Sequence, residues 1–230
     1  MRFHLLRSIF SVMLALPVLY SSAAEPVTLF DGTSLDGWRS NEDTPNCFTL
    51  TNGLLRISDG PAHLFYEGKA VPLPFHDFEL VLKMKTEALA NSGVYMHTAF
   101  QEKGWPEQGV EAQVSAAEGD PRKTGTVTGV AAVWVPVIKP GKEDKIPWMQ
   151  TLPNGEAQAR HPVAPHADNE WFTYTIRLRG NRIETRVDDK VVVRAVIQDE
   201  SKLPGGTIAL QAHDPKSTTW VKSVKIRVIR

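Results

Sequence analysis

Apolar and polar side chains alternate with a period of two through much of the chain, which is the signature of strands with one face on a core. In "FELVLKMKT", residues 78 to 86, Phe78, Leu80, Leu82 and Met84 share one face. Glu79, Lys83 and Lys85 share the other, with Val81 the one apolar intruder. "GVEAQVSA", residues 109 to 116, sets Val110, Ala112 and Val114 against Glu111, Gln113 and Ser115, and "SGVYMHTAF", residues 92 to 100, is a further strand. "FTYTIRLRGNRIETRVDDKVVVRA" predicts three strands, reversing at Gly180-Asn181 and Asp188-Asp189, where small polar residues tolerate a tight turn. Phe172, Tyr174, Ile176 and Leu178 make one apolar row, and Ile183 and Val187 return to the same core, leaving Arg182, Glu184 and Arg186 outside. "GGTIALQAH" and "WVKSVKIRVIR" supply two final strands.

No persuasive amphipathic helix interrupts these runs, so parallel βαβ architecture is excluded and the pattern predicts an all-β sandwich of two packed antiparallel sheets. With 230 residues, 42% of them hydrophobic, the chain suits one core rather than two. That domain is expected to span residues 25 to 230. Residues 1 to 24 read as a secretory signal peptide: Arg2 and Arg7 precede an apolar stretch over residues 8 to 20, and small residues follow at 21 to 24. The stretch is short against the roughly 20 apolar residues of a membrane span, so no stable span is expected after its removal. Residues 136 to 170 hold six prolines and no alternation; they predict a long loop crossing a sheet edge or covering a groove, with Trp148 as its anchor.

Charge and cysteine content narrow the function. The 26 basic and 26 acidic residues leave a mature chain near a formal charge of about minus two, with no basic stripe for nucleic acid or anionic membranes. Cys47 is alone, which excludes an internal disulfide and thiolate metal clusters and suits a periplasmic or secreted protein held by its core. Oligomeric state is open on sequence grounds.

Candidate chemistry collects on the polar faces. If "YMH" and "VEAQ" lie on neighbouring strands, Tyr95 and His97 share a face with Glu111 and Gln113, and Gln211 and His213 join them from a third strand. Amide, carboxylate, imidazole and an aromatic ring together suit the hydroxyls and apolar face of a sugar. His97 or His213 can act as a base and Glu111 as acid, base or orienting carboxylate. No second acid pairs with Glu111 in the manner of a conventional glycosidase. A divalent metal on His97, Glu111 and His213 is a possible arrangement if they converge, without a supporting spacing motif. No other cofactor is expected. Arg122 and Lys123, in "GDPRKTGTVTG", are expected at a substrate-facing rim together with Trp148, whereas His63, His161 and His166 read as solvated loop histidines. No serine lies in a GxSxG elbow, and Cys47 has no readable catalytic partner.

"LFDGTSLDGW" (29 to 38), "DFELVLKMKTEALANSGVYMH" (77 to 97), "GVEAQVSA", "NEWFTYTIRLRGNRIETRVDDKVVV" (169 to 193) and "IALQAH" (208 to 213) occur in an order that resembles the 3-keto-disaccharide hydrolase domain family, long carried as a domain of unknown function. The resemblance implies a concanavalin A-like, laminarinase-like jelly-roll sandwich whose concave sheet presents the site. It also implies hydrolysis of glycosidic bonds in sugars oxidised at C3, with a 3-keto-disaccharide, a glucoside or a related carbohydrate as partner. The keto group acidifies the C2 hydrogen, so one base, an enolate stabiliser and a leaving-group acid would suffice. By motif, Glu111 and Gln113 match the family's "G-[YV]-E-x-Q" strand, Gln211 and His213 its "LQ-x-H" strand, and Asn91, Ser92 and Gly93 its "NSG" turn. His97 stands where the family usually has arginine, a titratable group in place of a fixed cation. A non-catalytic, lectin-like carbohydrate-binding module and a structural or adhesion sandwich are the alternatives.

Overall fold

A computed structural model describes residues 25–41, 43–116, 124–129, 149–150 and 165–229. In chain order its strands are β1 (Val27–Phe30), β2 (Trp38–Ser40), β3 (Phe48–Thr51), β4 (Leu54–Ser58), β5 (Ala62–Tyr66), β6 (Phe78–Thr86), β7 (Asn91–Thr98) and β8 (Val110–Ser115). They continue as β9 (Val127–Gly129), β10 (Met149–Gln150), β11 (Phe172–Arg179), β12 (Arg182–Val187), β13 (Lys190–Val196), β14 (Thr207–Ala212) and β15 (Thr218–Val228). One sheet runs β10-β13-β12-β11-β6-β15-β4-β3, with β1 also on β15, and the other runs β2-β5-β14-β7-β8-β9. This is the two-sheet sandwich that the alternation predicts. Its pairs are antiparallel except β10 on β13, a parallel edge contact made by the described part of the long loop.

The core forms between the sheets because each strand turns its apolar row inward. Leu80, Leu82, Tyr174, Ile176, Val224 and Ile226 of the larger sheet join Val94, Met96, Val110, Ala112, Val114, Ile208 and Leu210 of the smaller one in a single buried cluster. Each such aliphatic or aromatic side chain contributes on the order of 1.5–3 kcal/mol when fully buried. Cys47 is buried and free. The turns at Gly180-Asn181 and Asp188-Asp189 fall where expected, and both aspartates adopt positive φ.

Glu184 departs from its expected outside position. It is only 8% exposed, because Arg186 and Arg194 clamp its two oxygens at 2.8 and 2.6 Å. Burial pushes its carboxyl up, and the two guanidinium hydrogen bonds outweigh that and hold it below the ordinary range. The clamp belongs to a longer row. Arg194, Glu184, Arg177, Glu79 and Arg227 stand in register on β13, β12, β11, β6 and β15, alternating in sign across the outer face. Arg177 donates to Glu79, with its Nε at 3.0 Å, and Arg227 approaches the same carboxylate at 3.6 Å.

Candidate functional site

On the smaller sheet the residues left after core formation line up in two rows on the outer face. Phe65, Ala209, Tyr95 and Glu111 are successive partners across β5, β14, β7 and β8, and His63, Gln211, Gly93 and Gln113 form the next row. The sequence-predicted Tyr95, Glu111, Gln113 and Gln211 therefore come together. Gly93 makes room for them: a β-carbon there would lie 2.7 Å from the Glu111 carboxyl carbon.

Tyr95 is 6% exposed. Burial raises its pKa above the usual phenol value, the nearby Glu111 carboxylate adds to this and accepts its hydrogen bond, and Gln211 acts weakly in the opposite sense. The phenol stays protonated and donates to Glu111.

A polar chain leads from the same face to the end of β14. Gln113 Nε2 donates to Asn91 Oδ1 at 2.7 Å, and Asn91 Nδ2 donates to Asp214 Oδ2 at 2.9 Å. The other Asp214 oxygen lies 2.9 Å from His213 Nδ1. Burial pushes the Asp214 carboxyl up, but the Asn91 hydrogen bond and the adjacent His213 imidazole outweigh it and hold the group below the ordinary range. His213 Nδ1 is thus held at ion-pair distance rather than in an aligned hydrogen bond, on a side chain 36% exposed. Asn91, Ser92 and Gly93 open β7 rather than making a turn.

Two side chains that sequence reasoning passed over complete the cluster. Trp105, 45% exposed, sets its ring edge-on at 5.0 Å from His213 and 5.2 Å from His63. His63 is no solvated loop residue: it lies within β5, is 1% exposed, and packs against Tyr95 at 5.4 Å. Burial lowers its pKa to about 4, with Asp43 opposing and His213 reinforcing the shift. A histidine inside "AHLFY" between two apolar neighbours was the available signal; for Trp105, in a turn-rich loop, there was none.

His97 is a correction. It sits at a register shift in the β7–β14 pairing with φ of 56°, so the strand's alternation breaks and its ring turns away from Tyr95. The ring packs toward Phe78 and His76. Nε2 donates to the His76 carbonyl at 2.7 Å and Nδ1 accepts from the Gly205 N–H at 3.2 Å, so both nitrogens are committed. It does not meet Glu111 and His213, and among the described residues no three His, Cys, Asp or Glu side chains group to hold a metal ion. His166 is likewise not solvated: it stacks on Phe172 at 4.2 Å with Nε2 3.0 Å from Thr124 Oγ1. His161, Arg122, Lys123, Trp148 and residues 1 to 24 lie outside the described residues. A cleft of about 700 Å³ between Val27, Val71, Pro74, Phe75 and Val228 contains none of the clustered side chains. Its lining is mainly apolar, and the unsatisfied polar groups gather elsewhere, which makes the outer face of the smaller sheet the better candidate.

A two-sheet sandwich with polar and aromatic groups on one outer sheet face is the architecture of concanavalin A-like carbohydrate-active proteins. The chain belongs to the 3-keto-alpha-glucoside-1,2-lyase-like domain family, whose model matches residues 25–227, and so stands among glycoside-hydrolase-like proteins. Solved structures share the fold. A candidate glycosyl hydrolase from Parabacteroides distasonis has 21% identity and a TM-score of 0.59, covering 90% of this chain and 100% of its own. A lichenase, a β-1,3-1,4-glucanase from a mouse hindgut metagenome, has 14% identity and a TM-score of 0.54, covering 89% and 99%. The carbohydrate-binding module CBM66 of Bacillus subtilis has 16% identity and a TM-score of 0.53, covering 83% and 95%. No curated protein matches by sequence. Among the described residues no helix is long and apolar enough to cross a membrane.

Proposed function

We propose that this is an exported enzyme, freed of residues 1 to 24, that cleaves the glycosidic bond of 3-keto-glucosides or 3-keto-disaccharides by elimination and hydration. The observation that carries the reading is the chain Gln113, Asn91, Asp214, His213, which ties an imidazole at the end of β14 to the outer-face row that holds Gln113.

The base is His213 Nε2. It takes the proton from C2, which the C3 oxo group acidifies; the C2–H electrons form the C1=C2 double bond as the C1–O bond breaks. Asp214, a half-exposed carboxylate at ion-pair distance, offsets the charge of the imidazolium. Glu111, carrying the Tyr95 hydrogen bond, faces the leaving oxygen; that oxygen takes its proton from the His213 imidazolium and departs as an alcohol. Water then adds across the C1=C2 bond and restores a free 3-keto sugar, so the net change is hydrolysis. Trp105 supplies an aromatic face for the ring.

The test is release of free alcohol and 3-keto sugar from a defined 3-keto-disaccharide, with wild type, Glu111→Gln and His213→Ala compared at equal folded fraction. Turnover by wild type with loss of about 10²-fold or more in His213→Ala is expected. Specific sugar binding without turnover would replace this reading with a lectin-like module.

A further inference from the structure

We infer that His63 and Gln211 form the subsite that reads the oxidised carbon of the sugar, holding its C3 oxo oxygen between two hydrogen-bond donors; this rests on the 3-keto-glycoside reading above. Gln211 is fully buried and His63 nearly so, at 0% and 1% exposure. Among the described residues neither ring nitrogen of His63 has a hydrogen-bond partner, and the Gln211 amide acts on the Tyr95 hydroxyl only weakly, without an aligned hydrogen bond. Four polar atoms left this way within one cross-strand pair are costly, because each unsatisfied buried donor or acceptor loses about 1–3 kcal/mol of solvation. Such a cost persists where a ligand supplies the missing partners.

The chemistry of the pair selects the ligand. A buried, neutral imidazole has one N–H and one bare nitrogen, and a glutamine amide has two N–H groups and one carbonyl. A ketone oxygen only accepts. Two neutral donors from adjacent strands match its two lone pairs, and the remaining imidazole nitrogen and amide oxygen take protons from the neighbouring hydroxyls. A 3-hydroxyl must place its own proton among the same donors and fits less well. During elimination the C3 oxygen gains negative charge, so donors already aimed at it strengthen as the reaction proceeds. The four polar atoms are sealed from water. Trp105, edge-on to the His63 ring, is the exposed side chain next to them, so a sugar reaches the subsite by displacing that indole.

The experiment measures binding of methyl α-D-glucopyranoside and its 3-keto form by calorimetry, and turnover of the 3-keto form. The proteins are wild type, His63→Phe, Gln211→Glu and Gln211→Met, each first checked for a native urea transition. Wild type is expected to prefer the 3-keto ligand. Each variant is expected to lose most of that preference, with about 10²-fold lower kcat/KM and a smaller loss of affinity for the unoxidised glucoside than for the 3-keto form. Gln211→Met keeps the volume and removes both donors, so an unfolded Gln211→Glu does not decide the outcome. Equal binding of the two ligands by wild type, or variants that keep the preference, would overturn the subsite. Preferential 3-keto binding through these side chains without turnover would keep the subsite and overturn the hydrolase reading.

Discussion

The Glu111 carboxylate occupies the space that a β-carbon on Gly93 would fill, although the two residues are not direct cross-strand partners. Glu111 leans diagonally over the glycine, so Gly93→Ala forces the carboxylate away from Tyr95. A small-to-large change in a packed setting costs roughly 1–3 kcal/mol. Folded Gly93→Ala is expected to lose at least about tenfold in sugar turnover, beyond what Tm accounts for. Urea titration beside kinetics separates the two effects.

On the proposed mechanism Asp214 acts through His213, which predicts a split between kinetic constants. Asp214→Asn keeps the shape but removes the charge that offsets an imidazolium. We expect kcat to fall by about 10²-fold while KM stays within about threefold. A parallel rise in KM would instead mark Asp214 as part of the sugar contact.

His97 holds backbone together, binding the His76 carbonyl and the Gly205 N–H. His97→Ala leaves the buried Gly205 N–H without its partner and opens a cavity, so a loss of about 2–4 kcal/mol is expected. At temperatures where the variant is folded, its kcat is expected to match wild type within about threefold. A folded variant with no turnover would return His97 to the chemistry.

Acid sensitivity follows from two buried imidazoles, His63 and His97, and the half-buried His166. Burial lowers His63 to about 4 and also lowers His97 and His166 below their ordinary 6.5. The unfolded chain therefore binds protons below pH 6.5 that the folded chain refuses, and stability falls as the pH drops from about 6.5 towards 4. Each such histidine contributes up to about 1.4 kcal/mol per pH unit within its window. Urea midpoints at pH 7, 6 and 5 test the slope, and His63→Phe is expected to reduce it by up to one proton. A midpoint that does not change over this range would refute the linkage.

Glu184 is held by two arginines with little solvent. Glu184→Gln leaves both guanidinium groups without their counter-charge and is expected to cost about 1.5–3 kcal/mol. Glu79→Gln, with its carboxylate 15% exposed, is expected to cost less. Denaturation of the two variants side by side orders them.

How far the sequence is legible depends on how many faces a strand buries. β6 and β11 bury alternate residues, so their period of two reads directly. β5 is buried at every position, and β1 to β3 have only three or four residues, so no period marks them. The site divides in the same way. Glu111, Gln113 and Gln211 follow alternation within single strands, and the motif resemblance points to the same residues. His97 fails because one residue at positive φ shifts the phase, a backbone event that composition does not announce. The Asp214 to Asn91 bond spans 123 positions and Trp105 approaches from a loop, so both are products of tertiary contact.

The charge row across β13, β12, β11, β6 and β15 has an evolutionary consequence. Glu79 pairs with arginines on both flanking strands and Glu184 with Arg194 on one of them, so replacing one residue alone leaves its neighbours in the row uncompensated. Positions 194, 184, 177, 79 and 227 are thus expected to drift as a set in relatives, by joint neutralisation or joint inversion of sign. A covariation signal of period one across strands, rather than along them, would be its trace.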